Sequence, residues 1–228
     1  MIDCIDYVIT HRPYPIEQDE LYKKLCVGDY YDDISRSERD GKNIAQYNDR
    51  LNELTGLYWM WKNDRHEYVG LSHYRRFFGI FGRRIDADMI EHILVEKGND
   101  IILSDYLRLP WTVKQNIRMA VGNDLYLDAF GKIYRAITHY QPKYEQAFMD
   151  VMDGDRMYRN NMFITSREIM NRYCEWLFSF MLDATDQVDV SGLSDNQKRV
   201  CGFFGEVMWT VWLRSNPIKI CELQIIRR

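Results

Sequence analysis

Tyr68-Val69-Gly70-Leu71-Ser72-His73-Tyr74-Arg75-Arg76 decides the fold. Its first half is a short apolar run suited to a buried strand, and its second half is a polar, basic cluster at that strand's C-terminal end. Upstream, Leu51, Leu54, Leu57, Tyr58 and Trp61 recur at three- and four-residue spacing, one face of an amphipathic helix from Asn48 to Lys62-Asn63. Residues 12–50 are polar, rich in Tyr and Asp and broken by Gly28 and Gly41, which predicts irregular connections with one short helix near Asp19 to Leu25. Ile5 to Thr10 is a first strand that stops at His11-Arg12-Pro13, because proline cannot continue a ladder.

Downstream, Asp86 and Asp88 offer N-caps for a helix through Ile93 and Leu94 that Gly98 ends, and Asp100 to Leu103 is a further buried strand. The alternation of strand and helix predicts βαβ units and a mostly parallel central sheet flanked by helices. In such sheets ligands bind outside the carboxyl ends of the strands, which puts His11, the His73 to Arg76 cluster and Ser104-Asp105 on one rim. Tyr106 to Asp155 reads as mostly helical, punctuated by Pro110 and Pro142, with Met162-Phe163-Ile164 as a return strand. Glu168 to Leu182 is helical by period, and Phe203 to Leu213 is a final buried helix headed by Gly205-Glu206.

The 228 residues suffice for one sizeable core, and 46% hydrophobic with 28% charged residues is ordinary globular usage. A formal net charge of −4 argues against a nucleic-acid partner, which would call for a strongly basic face. No apolar run approaches the roughly 18 residues of a membrane span and the N-terminus lacks a signal-peptide pattern, so a cytoplasmic protein is expected. Ile225-Ile226-Arg227-Arg228 allows at most peripheral contact with the inner face of a cell membrane. The five scattered cysteines, Cys4, Cys26, Cys174, Cys201 and Cys221, lack any C-x-x-C pair and read as reduced core thiols.

A turn after the strand would aim His73 and the Arg pair at one ligand, and guanidinium forks match phosphate oxygens in two-point contacts. The competing reading pairs Arg75 and Arg76 with surface aspartates, and His73 and His11 as hydrogen-bonded structural groups. Asn43, Asn48 and Thr55 can read a sugar or base edge, or equally cap and turn the chain; Glu53 suits a helix start without chemical duty. Asn160-Asn161 can bind sugar hydroxyls or simply form a turn. Glu206 opens an apolar helix, where desolvation would raise its pKa toward general-base work, or it is a surface carboxylate. G-x-G-x-x-G, Walker A, G-x-S-x-G and H-E-x-x-H are absent, as is the D-x-D that nucleotide-sugar transferases use to hold manganese.

Several blocks carry a family likeness: Thr10-His11-Arg12-Pro13-Tyr14, Glu53-Leu54-Thr55-Gly56-Leu57-Tyr58-Trp59-Met60-Trp61-Lys62-Asn63, Val69 to Phe77, Asn161-Met162-Phe163-Ile164, and Arg199 with Gly202-Phe203 and Glu206. The chain resembles the bacterial family known as domain of unknown function 4422 (DUF4422), whose members look like glycosyltransferases of the GT-A type. The resemblance implies a single GT-A-like, Rossmann-like α/β domain over residues 1–228, with 1–105 binding the nucleotide sugar and 106–228 facing the acceptor. It implies a UDP-sugar donor, galactose-type, and a saccharide acceptor, free or lipid-linked, in capsule, O-antigen or exopolysaccharide synthesis. Donor-binding residues implied are His11, Asn43, Asn48, Glu53, Thr55, His73, Tyr74, Arg75 and Arg76; Asn160 and Asn161 would meet the acceptor or sugar. Glu206 is the implied base, with Asp105 its rival. No residue is assigned to a metal, and because His73 to Arg76 occupies the D-x-D place, dependence on Mn or Mg is left open. The alternative is a non-catalytic carbohydrate- or nucleotide-sugar-binding module, which would release no UDP from a donor.

Overall fold

A computed structural model describes residues 2–227. The strands and helices, in chain order, are β1 (Cys4–Thr10), β2 (Tyr22–Cys26), β3 (Arg36–Ser37), α1 (Asn48–Leu51), α2 (Glu53–Asn63), β4 (Tyr68–His73), β5 (Arg76–Ile80), β6 (Arg83–Arg84) and α3 (Ala87–Glu91). They continue as β7 (Ile101–Ser104), β8 (Leu107–Arg108), α4 (Val113–Val121), α5 (Asn123–Tyr140), α6 (Glu145–Asp153), β9 (Arg156–Met157) and β10 (Phe163–Ser166). The last are α7 (Arg167–Gln187), α8 (Asp195–Lys198), α9 (Val200–Gly205), α10 (Met208–Ser215) and β11 (Ile220–Arg227).

Nine strands form one sheet in the order β3-β2-β1-β4-β10-β7-β11-β5-β6. The sheet is mixed, which corrects the expectation of a mostly parallel one. β3, β2, β1 and β4 run parallel, but β10 lies antiparallel between β4 and β7, and β5 lies antiparallel to β11. The chain enters β10 from the helical segment α4 to α6 at the opposite end of the sheet, so it pairs in reverse. Alternate strand residues divide two cores. Ile5, Tyr7, Ile9, Ile101, Leu103 and Phe163 face the larger one, where Trp209 stacks on Tyr173 at 3.5 Å between ring centres. Val8, Ile102 and Ile164 face the smaller one beside Phe77, Phe78 and α3.

The helix expected near Asp19 to Leu25 is instead β2, paired residue for residue with β1 from Asp6↔Tyr22 to Thr10↔Cys26. Pairing with the free edge of β1 outweighs local preference, and the buried ammonium of Lys24 is matched by Asp32 at 2.9 Å. The helix from Asn48 is two pieces, broken at Asn52, whose φ is +51°. The helix expected from Phe203 to Leu213 is likewise two, α9 and α10, parted at Glu206-Val207. Asp86 caps α3 by accepting from the Met89 N–H at 2.9 Å. Helix α2 lies so close to β1 that a Cβ on Gly56 would come within 2.5 Å of Ile9 Cδ1. All five cysteines are free, and burial pushes the thiol of Cys174 well up. Among the described residues no helix is long and apolar enough to cross a membrane.

Candidate active site

Strands β1 and β4 end side by side, Ile9 opposite His73, and the Tyr74 N–H closes the junction on the Ile9 carbonyl at 3.1 Å. Tyr74-Arg75 then reverses the chain so that Arg76 pairs antiparallel with His73. This two-residue turn puts His73 and Arg76 at the mouth of a cavity of about 670 Å³ beyond the strand ends. Tyr74 is a buried post beneath it. Its ring meets His11 and Tyr14 edge-on, carries the guanidinium carbons of Arg75 and Arg12 at 4.8 and 5.6 Å, and its hydroxyl accepts from Arg75 Nη2 at 2.7 Å.

Three guanidiniums, Arg12, Arg75 and Arg76, therefore crowd one rim. Among the described residues no carboxylate lies within ion-pair reach of any of them. Ion pairing with surface aspartates, the competing reading of the Arg pair, does not occur. Asp29, which lines the same cavity, is already engaged by Arg39 at 3.0 Å. Arg12 Nε donates to His11 Nε2 at 3.1 Å, so that nitrogen is unprotonated. Partial burial first, and then the charges of Arg12, Arg199, Arg75 and His73, push the His11 pKa down, so the imidazole is neutral around pH 7.

His73 Nε2 donates to the Asn160 carbonyl at 2.6 Å and pins the loop before β10 against the strand end. In that loop Asn160 and Asn161 have φ of +67° and +51°, a left-handed pair that asparagine tolerates. Asn161 is buried and gives Nδ2 to Glu53 Oε1 at 2.9 Å, leaving its own Oδ1 without a partner. Glu53 is the first residue of α2, where the helix amino end favours negative charge.

Glu206 reaches the same cavity from the other half of the chain. A Cβ on Gly202 would stand 2.2 Å from Asn52 Nδ2, and one on Gly205 2.4 Å from Leu54 Cδ1. The two glycines thus let α9 settle on the junction of α1 and α2, which brings Glu206 beside Glu53. Burial, and next the charge of Glu53, push Glu206 up to about 7, against the Asn160 N–H, Arg199 and Arg76, which favour its charged form. Arg199 Nε donates to Asn52 Oδ1 at 2.6 Å and holds the strained residue in place.

His11, Asn48, Glu53, His73, Tyr74, Arg75, Arg76, Asn160 and Glu206 all line this cavity. Asn48 does so as a brace, its amide donating to the Asn52 carbonyl and to Thr55 Oγ1. Thr55 is fully buried and Asn161 sits behind the wall. Asn43 lies outside the cavity, its side chain spent on the backbone of Arg39, Gly41 and Ala45. Asp105 is exposed past the end of β7, separated from β4 by β10, and does not reach the cavity. Lys198 was not singled out from sequence, and Arg12 and Arg199 stood only within family blocks; a guanidinium between a strand end and Pro13 was the available signal for Arg12.

A family model for a domain of unknown function, DUF4422, matches residues 6–217. The chain belongs to the DUF4422 family. Among solved structures, this DUF4422 chain superposes on the WbbM bifunctional glycosyltransferase in its apo form with a TM-score of 0.79 at 24% sequence identity. The match covers 98% of this chain and 45% of that one, so the DUF4422 chain has the fold of somewhat under half of that protein. No curated protein matches it.

Proposed function

We propose that this DUF4422 protein is a glycosyltransferase that binds a nucleoside-diphosphate sugar in the cavity and passes its hexosyl group to a saccharide hydroxyl. The observation that carries this reading is three guanidiniums without carboxylate partners among the described residues, lining with the half-buried Glu206 one cavity of about 670 Å³. Guanidiniums poised without counter-ions suit a diphosphate, whose leaving oxygen gains negative charge as the glycosidic bond to it breaks. Glu206 lines the same cavity, where an acceptor hydroxyl would lose its proton. The family likeness and the fold shared with a glycosyltransferase support the same chemistry. On that likeness the donor is a UDP-hexose, galactose-type, and the acceptor a growing surface polysaccharide, free or lipid-linked.

A divalent ion fits the residues present poorly. Among the described residues no three His, Cys, Asp or Glu side chains stand at metal-holding distance, and Glu206 faces the cations Arg76 and Arg199. The guanidiniums then supply the charge compensation. The test is donor turnover and UDP binding with and without chelator, in the wild type and in Arg76→Ala. Losing one charge-assisted bond of about 1.5–3 kcal/mol weakens UDP binding on the order of 10- to 100-fold. Turnover that depends fully on added manganese, with Arg76→Ala silent, would sink the arginine role; absence of both UDP binding and UDP release would sink the transferase reading.

A further inference from the structure

The cavity holds two carboxylates, and the way they are brought together goes beyond a single base. Gly202 packs against Asn52 and Gly205 against Leu54, the residues on either side of Glu53, and this brings Glu206 and Glu53 to the lining of one cavity. Glu53 is fixed twice over: it sits at the amino end of an 11-residue helix, and it accepts from Asn161 Nδ2 at 2.9 Å. That amide has no competing use, because Asn161 is 2% exposed and its Oδ1 meets no donor. Reversing the amide would turn an oxygen on the carboxylate, so the bond orients both side chains. Glu206 is differently placed, in the break between α9 and α10. It faces Glu53 from α2, Arg76 from β5, Arg199 ahead of α9 and the Asn160 N–H ahead of β10.

We infer that Glu53 and Glu206 work as a pair, the fixed negative charge of Glu53 making Glu206 the base that accepts the proton of the acceptor hydroxyl. This rests on the transferase reading above. In the step, the acceptor oxygen bonds to the anomeric carbon of the sugar while that carbon's bond to the diphosphate oxygen breaks. The electron pair leaves on the diphosphate at the arginine rim, and the hydroxyl proton passes to a Glu206 carboxylate oxygen. Glu53 touches no reacting atom in this scheme and is a positioning residue. Burial first, and then the neighbouring charge of Glu53, keep Glu206 basic enough to take a proton near neutral pH, where a carboxylate in water would be too weak a base.

The experiment follows the Glu206 carboxyl directly in the full chain, by carbon-13 nuclear magnetic resonance with labelled glutamate, the signal assigned through Glu206→Gln. Release of UDP from UDP-galactose is measured over the same pH range. In Glu53→Gln the Glu206 midpoint should fall by at least about one pH unit, and the acid limb of UDP release should fall with it. Glu53→Asp, which keeps the charge, should hold both near their wild-type positions. Should Glu53→Gln not fold, Glu53→Met removes the same charge, and the Glu206 midpoint should again move down. An unmoved midpoint overturns the pairing, and a midpoint that moves without the acid limb overturns the role of Glu206 as base. A wild-type protein that releases no UDP sinks the transferase reading instead, and is told apart because the midpoint is read without turnover.

Discussion

Replacing Gly202 by alanine tests whether the contact of α9 with Asn52 builds the site. The added methyl would lie 2.2 Å from Asn52 Nδ2 and 3.1 Å from the Arg50 carbonyl, where ordinary contact begins at 3.4 Å. The Asn52 side chain must therefore swing away, and the 2.6 Å bond from Arg199 goes with it. A charge-assisted hydrogen bond is worth about 1.5–3 kcal/mol, and overpacking by one methyl costs about 1–3 kcal/mol. Because Arg199 is partly exposed, the low end of the first range applies, and the sum is about 2.5–4.5 kcal/mol. At about 2–4 °C per kcal/mol for a chain of this size, the melting temperature falls by roughly 5–18 °C. Urea unfolding of Gly202→Ala, Asn52→Gly and the double variant measures the coupling. Glycine suits the φ of +51° at position 52 and removes the obstructing amide, so in that background Gly202→Ala should cost under about 1 kcal/mol. Effects of the two substitutions that add within about 0.5 kcal/mol would refute the contact.

Two further outcomes concern stability. Burial pushes Asp6 and Glu38 up to about 7, outweighing the bonds from Ser72 to Asp6 and from Thr55 and the Gly28 N–H to Glu38; Glu206 is raised to the same level. A carboxyl whose folded pKa lies above its unfolded one stabilises the fold fully below the unfolded value, and that stabilisation is lost as pH rises through the folded value. The melting temperature should therefore fall between pH 5 and about 8.5, and Asp6→Asn should flatten the fall; a rise over that range refutes the assignment. At the tip of the β5–β6 hairpin, Phe81 is fully exposed with φ of +49° beside Gly82 at +74°. Phe81→Asn suits that turn and should add on the order of 0.5–1 kcal/mol in urea unfolding, whereas a loss would mean that Phe81 makes a stabilising contact.

Much of the fold was legible where burial writes itself into local pattern. The apolar runs of β1, β4, β7 and β10 sit where the sequence puts them, to within a residue or two, and the periodic faces of α2 and α7 are helical, although the helix from Asn48 breaks at Asn52 and α7 runs on past Leu182 to Gln187. What escaped depends on distant partners. Tyr22-Lys23-Lys24-Leu25-Cys26 looks too polar for an inner strand until Asp32 neutralises Lys24. The direction in which β10 enters the sheet is set by the route of α4 to α6, which no short window contains. β5 and β11 are strands because they pair with each other, 140 or more residues apart.

The cavity follows the same division, and the division explains which polar residues reach it. Asn43, Asn48 and Thr55 stood out in sequence as a dense run of hydrogen-bonding side chains, yet each spends groups on nearby backbone or, for Asn48 and Thr55, on each other. Local satisfaction of this kind is invisible as composition and is decided by turn geometry. Arg12, Arg75 and Arg76 are the opposite case: cation–π contacts with Tyr74 hold the first two, a strand pairing with His73 holds the third, and none of these neutralises a charge. Glu206 gains its neighbour only through Gly202 and Gly205, whose missing side chains act on a turn some 150 residues earlier. The groups left free to meet a ligand are thus those whose neighbours fix position without cancelling charge. That is why a two-residue turn exposed His73 and Arg76 to sequence reasoning, while Glu53 became intelligible only once Glu206 stood beside it.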